Sequence, residues 1–385
     1  MLSESETERD YRNFASEQWQ LINDDWNLSN HTESVLVTIG GNNIADWHNK
    51  TFERSIKVAK DSGGFALLMK PQLAKSFDLD KLIRQHKLVG YYDHDIILSA
   101  DFPIPRNMGL SDEEIRYRQQ KSVDWYNLMK SEIPQTIPVI HGTNTEEFEN
   151  HIEMYGLKDK ETVAVGSNLA QSTPRVLGQT GHKIVSRSIL WKTIREMMSV
   201  MRKHEFDSFL LGAGGMSAAP EAALLGTKFT DATSWRLNAY QWALFCPERR
   251  QYIHCGDKKN NLEKEWVENY LRECLEDENY PLGRNLAGND YRSLIEALRG
   301  VNRTGTEGSR ARQIHNLYVQ EKDAEWIRTY EDDPEGLGKA LIQQHELNSE
   351  QGWRNSAAIK RIRGHLDSIR ESTVSEDFEL IFSLL

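Results

Sequence analysis

Seven short apolar runs punctuate the first 240 residues: VLVTIGG (35–41), SIKVAKDSGG (55–64), DIILSAD (95–101), IPVIHG (137–142), TVAVGS (162–167), SFLLGAGG (208–215) and KFTDATS (228–234). Amphipathic stretches such as DEEIRYRQQKSVDWYNLMKSE and SRSILWKTIREMMSVMRKH lie between most of them. Strand-then-helix alternation predicts a mostly parallel sheet with helices outside it. The fold class expected is α/β, a (β/α)8 TIM barrel. Such a barrel needs eight strands, and NNIADWHNK (42–50) is where a weak eighth is expected. A doubly wound open sheet is the structural alternative. It would usually open on a GxGxxG turn, which GGNNIAD is not.

The pattern changes after about residue 240. FCPERRQYIHCGDKKNN (245–261) reads as polar loop, followed by the helix EKEWVENYLRECLED and a Gly/Arg/Asn-rich stretch, GVNRTGTEGSRARQ (300–313). The tail reads as a basic amphipathic helix with an acidic, apolar end. The expected division is therefore 1–240 for the barrel, 241–330 for an attached subdomain, and 331–385 for C-terminal helices completing the fold.

Composition narrows the class. Apolar residues are 38% and charged residues 27% of the 385, as in a water-soluble globular protein with a sizeable core. No apolar run is long enough to span a bilayer, and the acidic start, MLSESETERDYRNF, is not a secretory signal. Three cysteines, an odd number, argue against a disulfide framework and for a reducing, cytoplasmic setting. A net charge of −11 argues against non-specific nucleic-acid binding unless Lys and Arg gather locally.

In a parallel barrel, functional side chains sit where strands end. The polar residues there are Asp61, Asp101, His141, Ser167 and Asp231. Two carboxylates can run a glycosyl transfer with retention: one attacks the anomeric carbon and the other carries the proton. Taken singly, each has a plainer reading. Asp61 in DSGGF could be a turn residue, and Asp231 in KFTDATSWR could cap the next helix.

The order of these motifs is more specific than any one of them. DSGGF, DIILSADFPIP, PVIHGTN, VAVGSNL, then FLLGAGG and LLGTKFTDATSWR resemble the queuine and archaeosine tRNA-guanine transglycosylase family over about residues 55–240. The chain departs from the tRNA-acting pattern. Ala66 stands where the family carries Gln, His141-Gly142-Thr143 where it has Gln-Gly-Gly, and Gly166-Ser167 where it has Gly-Gly.

The resemblance implies roles position by position. Asp231 falls at the nucleophile that attacks C1′, and Asp61 at the acid/base. Asp101 falls at the carboxylate that binds the amino and ring N–H edge of the base. His141, Gly166 and Ser167 fall where its carbonyl edge is bound, Phe65 and Leu211 where side chains sandwich the ring, and Gly142 and Gly212 among the other residues that bind the base. The family's structural zinc would fall to Cys246, Cys255, Cys274 and His315, although eight, eighteen and forty residues separate them and the family's cysteines lie close together. Family members often form homodimers through that subdomain.

The departures are closer in character to the phage and bacterial DNA-guanine transglycosylases, which place 7-deazaguanines in DNA. The expected substrates are thus DNA and a 7-deazaguanine, with 7-cyano-7-deazaguanine first. Reaching C1′ requires an extruded nucleotide or a single strand, with phosphate contacts beside the pocket. The candidates are Arg303, Arg310 and Arg312, and Lys360, Arg361 and Arg363. Alternatives are the same chemistry on tRNA, a non-catalytic partner subunit (which would be expected to lose an active-site acid), and an unrelated barrel glycosidase.

Overall fold

The computed structural model describes residues 12–17, 34–39, 57–64, 67, 71–105, 109–166, 187–216, 218–232, 234–256, 259–285, 290–300, 306–347 and 355–383. The chain forms an α/β fold in which parallel strands alternate with helices. The strands are β1 (Arg12–Glu17), β2 (Ser34–Thr38), β3 (Lys57–Asp61), β4 (Ile96–Leu98), β5 (Thr136–Ile137), β6 (Val139–Ile140), β7 (Thr162–Val165), β8 (Asp207–Leu210) and β9 (Phe229–Ala232). They lie in the order β5-β4-β3-β2-β1-β9-β8-β7-β6, and every pairing is parallel. Only Pro138 separates β5 from β6, the two strands at the ends of that order. A proline has no N–H to give to a ladder, so neither short strand continues through this point.

All seven apolar runs contain strands. The remaining strand is Arg12–Glu17, in a stretch with no apolar run, and 42–50 lies outside the described residues. The sheet is buried on both faces. One face carries Leu36, Ala59, Leu98, Val139, Ala164, Phe209 and Phe229 in a single cluster. The other faces the helices: Val37, Val58 and Ile97 pack with Leu79, Leu82 and Trp125, and Ile140, Val163 and Leu210 with Trp191 and Met198.

The helices between strands begin where the sequence supplies caps. Asp78 accepts from the Lys81 N–H at 2.8 Å to start α1 (Leu79–Val89), and Ser111 accepts from Glu114 at 3.3 Å to start α2 (Asp112–Glu132). Asn144 accepts from Glu147 at 2.9 Å to start α3 (Thr145–Tyr155), and Glu147 reaches back to the Thr143 N–H at 2.8 Å. Each cap satisfies donors that the first helical turn leaves unpaired. Then come α4 (Arg187–Lys203), α5 (Ala219–Leu224) and α6 (Ser234–Tyr240).

The region expected to be polar loop after residue 245 is instead an antiparallel hairpin. It consists of β10 (Ala243–Cys246), β11 (Gln251–Gly256) and a short β12 (Lys259–Asn260). Its Leu244, Phe245, Cys246, Ile253 and Cys255 enter the same cluster as Val37 and Trp125, so apolar burial decides the structure despite the charged turn. Helices follow: α7 (Glu265–Glu276), α8 (Pro281–Asn285), α9 (Tyr291–Arg299), α10 (Thr306–Arg328), α11 (Pro334–Glu346) and α12 (Asn355–Ser383). Among the described residues no helix is long and apolar enough to cross a membrane.

Candidate active site

Side chains alternate between the two faces of a strand with period two. That period places the residues at six strand ends. Each lies two positions beyond a member of the cluster on one face of the sheet: Leu36 leads to Thr38, Ala59 to Asp61, Val139 to His141, Ala164 to Gly166, Phe209 to Leu211 and Phe229 to Asp231. Apolar packing thus aims these residues at one place, the C-terminal edge of the sheet.

The DSGG turn is built residue by residue. Asp61 accepts from the Thr38 hydroxyl at 3.2 Å, and Thr38 is its register partner in β2. Ser62 donates to the Leu98 carbonyl at 2.6 Å and lies 3.2 Å from His86 Nε2, tying the turn to β4 and α1. Gly63 takes a φ of +86°, which a side chain would strain. At Gly64 an added Cβ would collide with the Asp101 carboxylate.

Asp101 and His141 are buried together, with Oδ2 2.7 Å from Nε2. The imidazole is held from several sides. Gly166 leaves it room, since a Cβ there would run into the ring, and Gly142 leaves room for Phe148 of α3. The His141 carbonyl accepts from Gln119 at 3.2 Å, and its N–H donates to His151 Nδ1 at 3.0 Å. Burial, and then the charge of His141, depress the His151 pKa to about 3. His151 is therefore a neutral acceptor near pH 7.

Asp231 is held by the loop after β8. The Gly212 N–H donates to Asp231 Oδ1 at 2.5 Å, and the Gly214 N–H donates to the Asp231 carbonyl at 2.7 Å. Gly212 has a φ of +72°. Asp61 lies within electrostatic reach of both other acids. Burial foremost, then the Asp101 charge, and further down the Asp231 charge raise its pKa from 3.8 to about 7, against the Gly63 N–H and the Thr38 hydroxyl. The site therefore has a carboxyl that changes protonation near neutrality beside a second acid whose side chain is held by the Gly212 N–H and whose carbonyl is held by the Gly214 N–H. This is the division of roles that acid/base and nucleophilic chemistry require.

The Asp101–His141 contact depends on Gly64. A Gly64→Ala protein is expected to fold with about 1–3 kcal/mol less stability, the usual range for overpacking, and to lose that contact. Urea melts and the imidazole ring-proton resonance of His141 report the two effects. A variant that keeps the resonance would contradict this packing.

Other expected site residues fare differently. Phe65, Ser167 and Arg303 lie outside the described residues. Leu211 is half-buried beside the sheet-face cluster, next to Gly212. Arg310, Lys360 and Arg363 are exposed. Arg312 is not available to a phosphate. It is 1% exposed, donates to the Ala239 and Leu298 carbonyls at 2.8 and 2.6 Å, and stacks on Trp242. Arg361 is committed to Glu221 through two bonds of 3.0 and 2.8 Å.

Of the four residues expected to hold zinc, Cys246, Cys274 and His315 lie around Tyr270, while Cys255 is set apart along the hairpin. Cys246 faces Gln251 in the hairpin, while the Cys255 N–H bonds to Trp242. Four residues along a strand is about 13 Å, whereas two sulfurs on one zinc, each about 2.3 Å from it, lie within about 5 Å of each other. His315 is buried with Nδ1 2.9 Å from the Tyr280 hydroxyl and Nε2 3.3 Å from that of Tyr270. Burial raises all three thiols to about 12. Among the described residues no group of three or more His, Cys, Asp or Glu is placed to hold a metal ion. These residues form an apolar core under the hairpin, with a buried His bridging two tyrosines.

Sequence reasoning missed Thr38, Gln119 and His151. Only Thr38 left a signal, as a polar residue ending an apolar strand. Compared with known proteins, the chain matches no family model, and no curated protein is significantly similar to it.

Proposed function

We propose that this chain exchanges guanine in DNA for a 7-deazaguanine, 7-cyano-7-deazaguanine first among them, through a covalent bond to Asp231. The fold proposed for it is a closed (β/α)8 barrel, with β5 and β6 as one eighth strand interrupted at Pro138. In this reading, an Asp231 carboxylate oxygen attacks C1′ as the C1′–N9 bond breaks, and the departing guanine takes a proton from Asp61. The incoming base returns its N9 proton to Asp61 while N9 attacks C1′, re-forming the glycosidic bond and freeing Asp231. Two displacements give net retention. Asp101 accepts from the donor edge of the base, and His141 lies beside it to meet the carbonyl edge.

The observation that carries the proposal is the convergence of Asp61, Asp101 and Asp231, with Asp61 raised to about 7 by burial and by its two acidic neighbours. A carboxyl near neutrality can both give and take a proton at physiological pH. The motif series described above favours a purine-like base as the group exchanged, and its departures favour DNA over tRNA.

The test is direct. Labelled guanine or 7-cyano-7-deazaguanine is incubated with the protein and either DNA or tRNA. Label in DNA is expected. Label in tRNA alone would replace DNA by tRNA as substrate, and label in neither would overturn the exchange reading.

A further inference from the structure

We propose that Arg250 is a positioning residue for Asp231, acting through the glycine-rich loop that follows β8. The functional consequence rests on Asp231 being the nucleophile; the mechanical link does not. Arg250 closes the turn between β10 and β11, donating its N–H to the Pro247 carbonyl at 3.1 Å with a φ of +46°. A glycine or asparagine would hold that left-handed conformation more easily. The side chain is, moreover, 1% exposed, so a guanidinium is carried into the interior from a strained position.

What offsets both costs is a fan of contacts to three elements. Nη1 lies 2.7 Å from Asp323 Oδ2 on α10, Nε donates to Gln344 Oε1 on α11 at 2.9 Å, and the group stacks over Trp326. The same Nη1 also donates to the Met216 carbonyl at 3.3 Å. That contact leaves the C-terminal half of the chain and enters the loop whose Gly212 and Gly214 N–H groups fix Asp231.

The loop needs such an anchor. Gly212-Ala213-Gly214-Gly215 has more backbone freedom than any other four-residue stretch of the site, and ordering glycines costs more entropy than ordering other residues. Just beyond, Glu221 of α5 is held by Arg361 and His365 of α12. The loop is therefore gripped at Met216 by Arg250 and at Glu221 by Arg361. Between the grip at Met216 and the end of β8, the two N–H groups reach the nucleophile. Without Arg250 the glycines are free to move, taking the Gly212 N–H off the Asp231 carboxylate and the Gly214 N–H off its backbone carbonyl. A misplacement of about 1 Å can cost a reaction about a hundredfold.

The experiment compares wild type, Arg250→Met and Arg250→Lys in the full-length chain. Hydrogen exchange of the Gly212 and Gly214 amides is read against amides in α2 and α4, and base exchange is followed at saturating and limiting substrate. Arg250→Met is expected to lose protection at Gly212 and Gly214 selectively. Its kcat should fall roughly tenfold to hundredfold while KM stays near the wild-type value. Arg250→Lys keeps a charged donor for Asp323 and Met216 but lacks the Nε–H that reaches Gln344, so it should lie between. It also serves as the test protein if Arg250→Met does not fold. Unchanged protection at both glycines in a folded variant, or unchanged kcat despite lost protection, would overturn the proposal. The amide readout needs no substrate. A wild-type protein without base exchange would therefore overturn the functional reading and leave the link between Arg250 and the loop still measurable.

Discussion

An Asp231→Asn protein is expected to fold normally and to lose base exchange by at least about 10⁴-fold, the scale seen when a covalent nucleophile is removed. The substitution is nearly isosteric. The amide oxygen still accepts from the Gly212 N–H, and the backbone carbonyl still accepts from Gly214, so the contacts that place residue 231 survive. What is lost is the negative oxygen. An amide is a poor nucleophile and cannot form the ester to C1′ that preserves the configuration through two displacements. The checking measurement traps wild type with DNA in the absence of incoming base and looks for a denaturation-resistant protein–DNA adduct by mass. Wild type should give the adduct and Asp231→Asn should not. An Asp231→Asn protein that still forms it would remove Asp231 from the role. If Asp231→Asn kept the adduct and Asp61→Asn lost it, the two acids would exchange assignments.

Asp231 was legible because the physics that places it is local. Apolar runs with β-branched residues make strands, strand alternation is fixed at two, and the residue two positions past Phe229 faces the same way as Phe229. The same logic reaches Asp61 and His141. Asp101 needs more, because β4 ends at Leu98 and the chain is irregular when it reaches the site. Arg12–Glu17 was not legible as a strand. RNFASE has no apolar run, and what makes it one is hydrogen bonding to β2 and β9 on either side.

The C-terminal half shows why composition misleads. PERRQ looks like solvated loop, yet it turns a hairpin whose Phe245, Ile253 and Cys255 are core residues. Arg312 reads as a phosphate ligand in a Gly/Arg-rich stretch, but carbonyls of Ala239 and Leu298 satisfy it inside the protein. Nothing in a one-dimensional pattern distinguishes a guanidinium that meets a phosphate from one that meets two helix-end carbonyls. Arg250 is the same case with a functional consequence. The cysteines are the converse case: the residue types of a zinc site were present, and strand geometry separates Cys246 from Cys255 along the hairpin.

Asp61→Asn should make the protein more stable above neutral pH even as it stops turnover. The folded chain raises this carboxyl from 3.8 to about 7, first by burial and then by the Asp101 charge, so the folded state holds the proton more tightly than the unfolded state does. The stability gained from that proton is fully present below about pH 4. It falls as pH rises toward 7 and is gone above it, where the folded protein must carry the buried charge. Three pH units correspond to about 4 kcal/mol, and because the Asp61 side chain retains partial solvent contact, roughly 2–4 kcal/mol is the expected range. Asparagine has no charge to bury, so the variant and wild type should have similar stability near pH 4 and diverge in the variant's favour by pH 8. Urea denaturation at both pH values reads the difference. In turnover the order reverses: wild-type kcat should change through the pH range around 7, and the variant should be slow at every pH because no group gives or takes the N9 proton. Parallel stability curves for the two proteins would show that Asp61 is not the carboxyl titrating near neutrality.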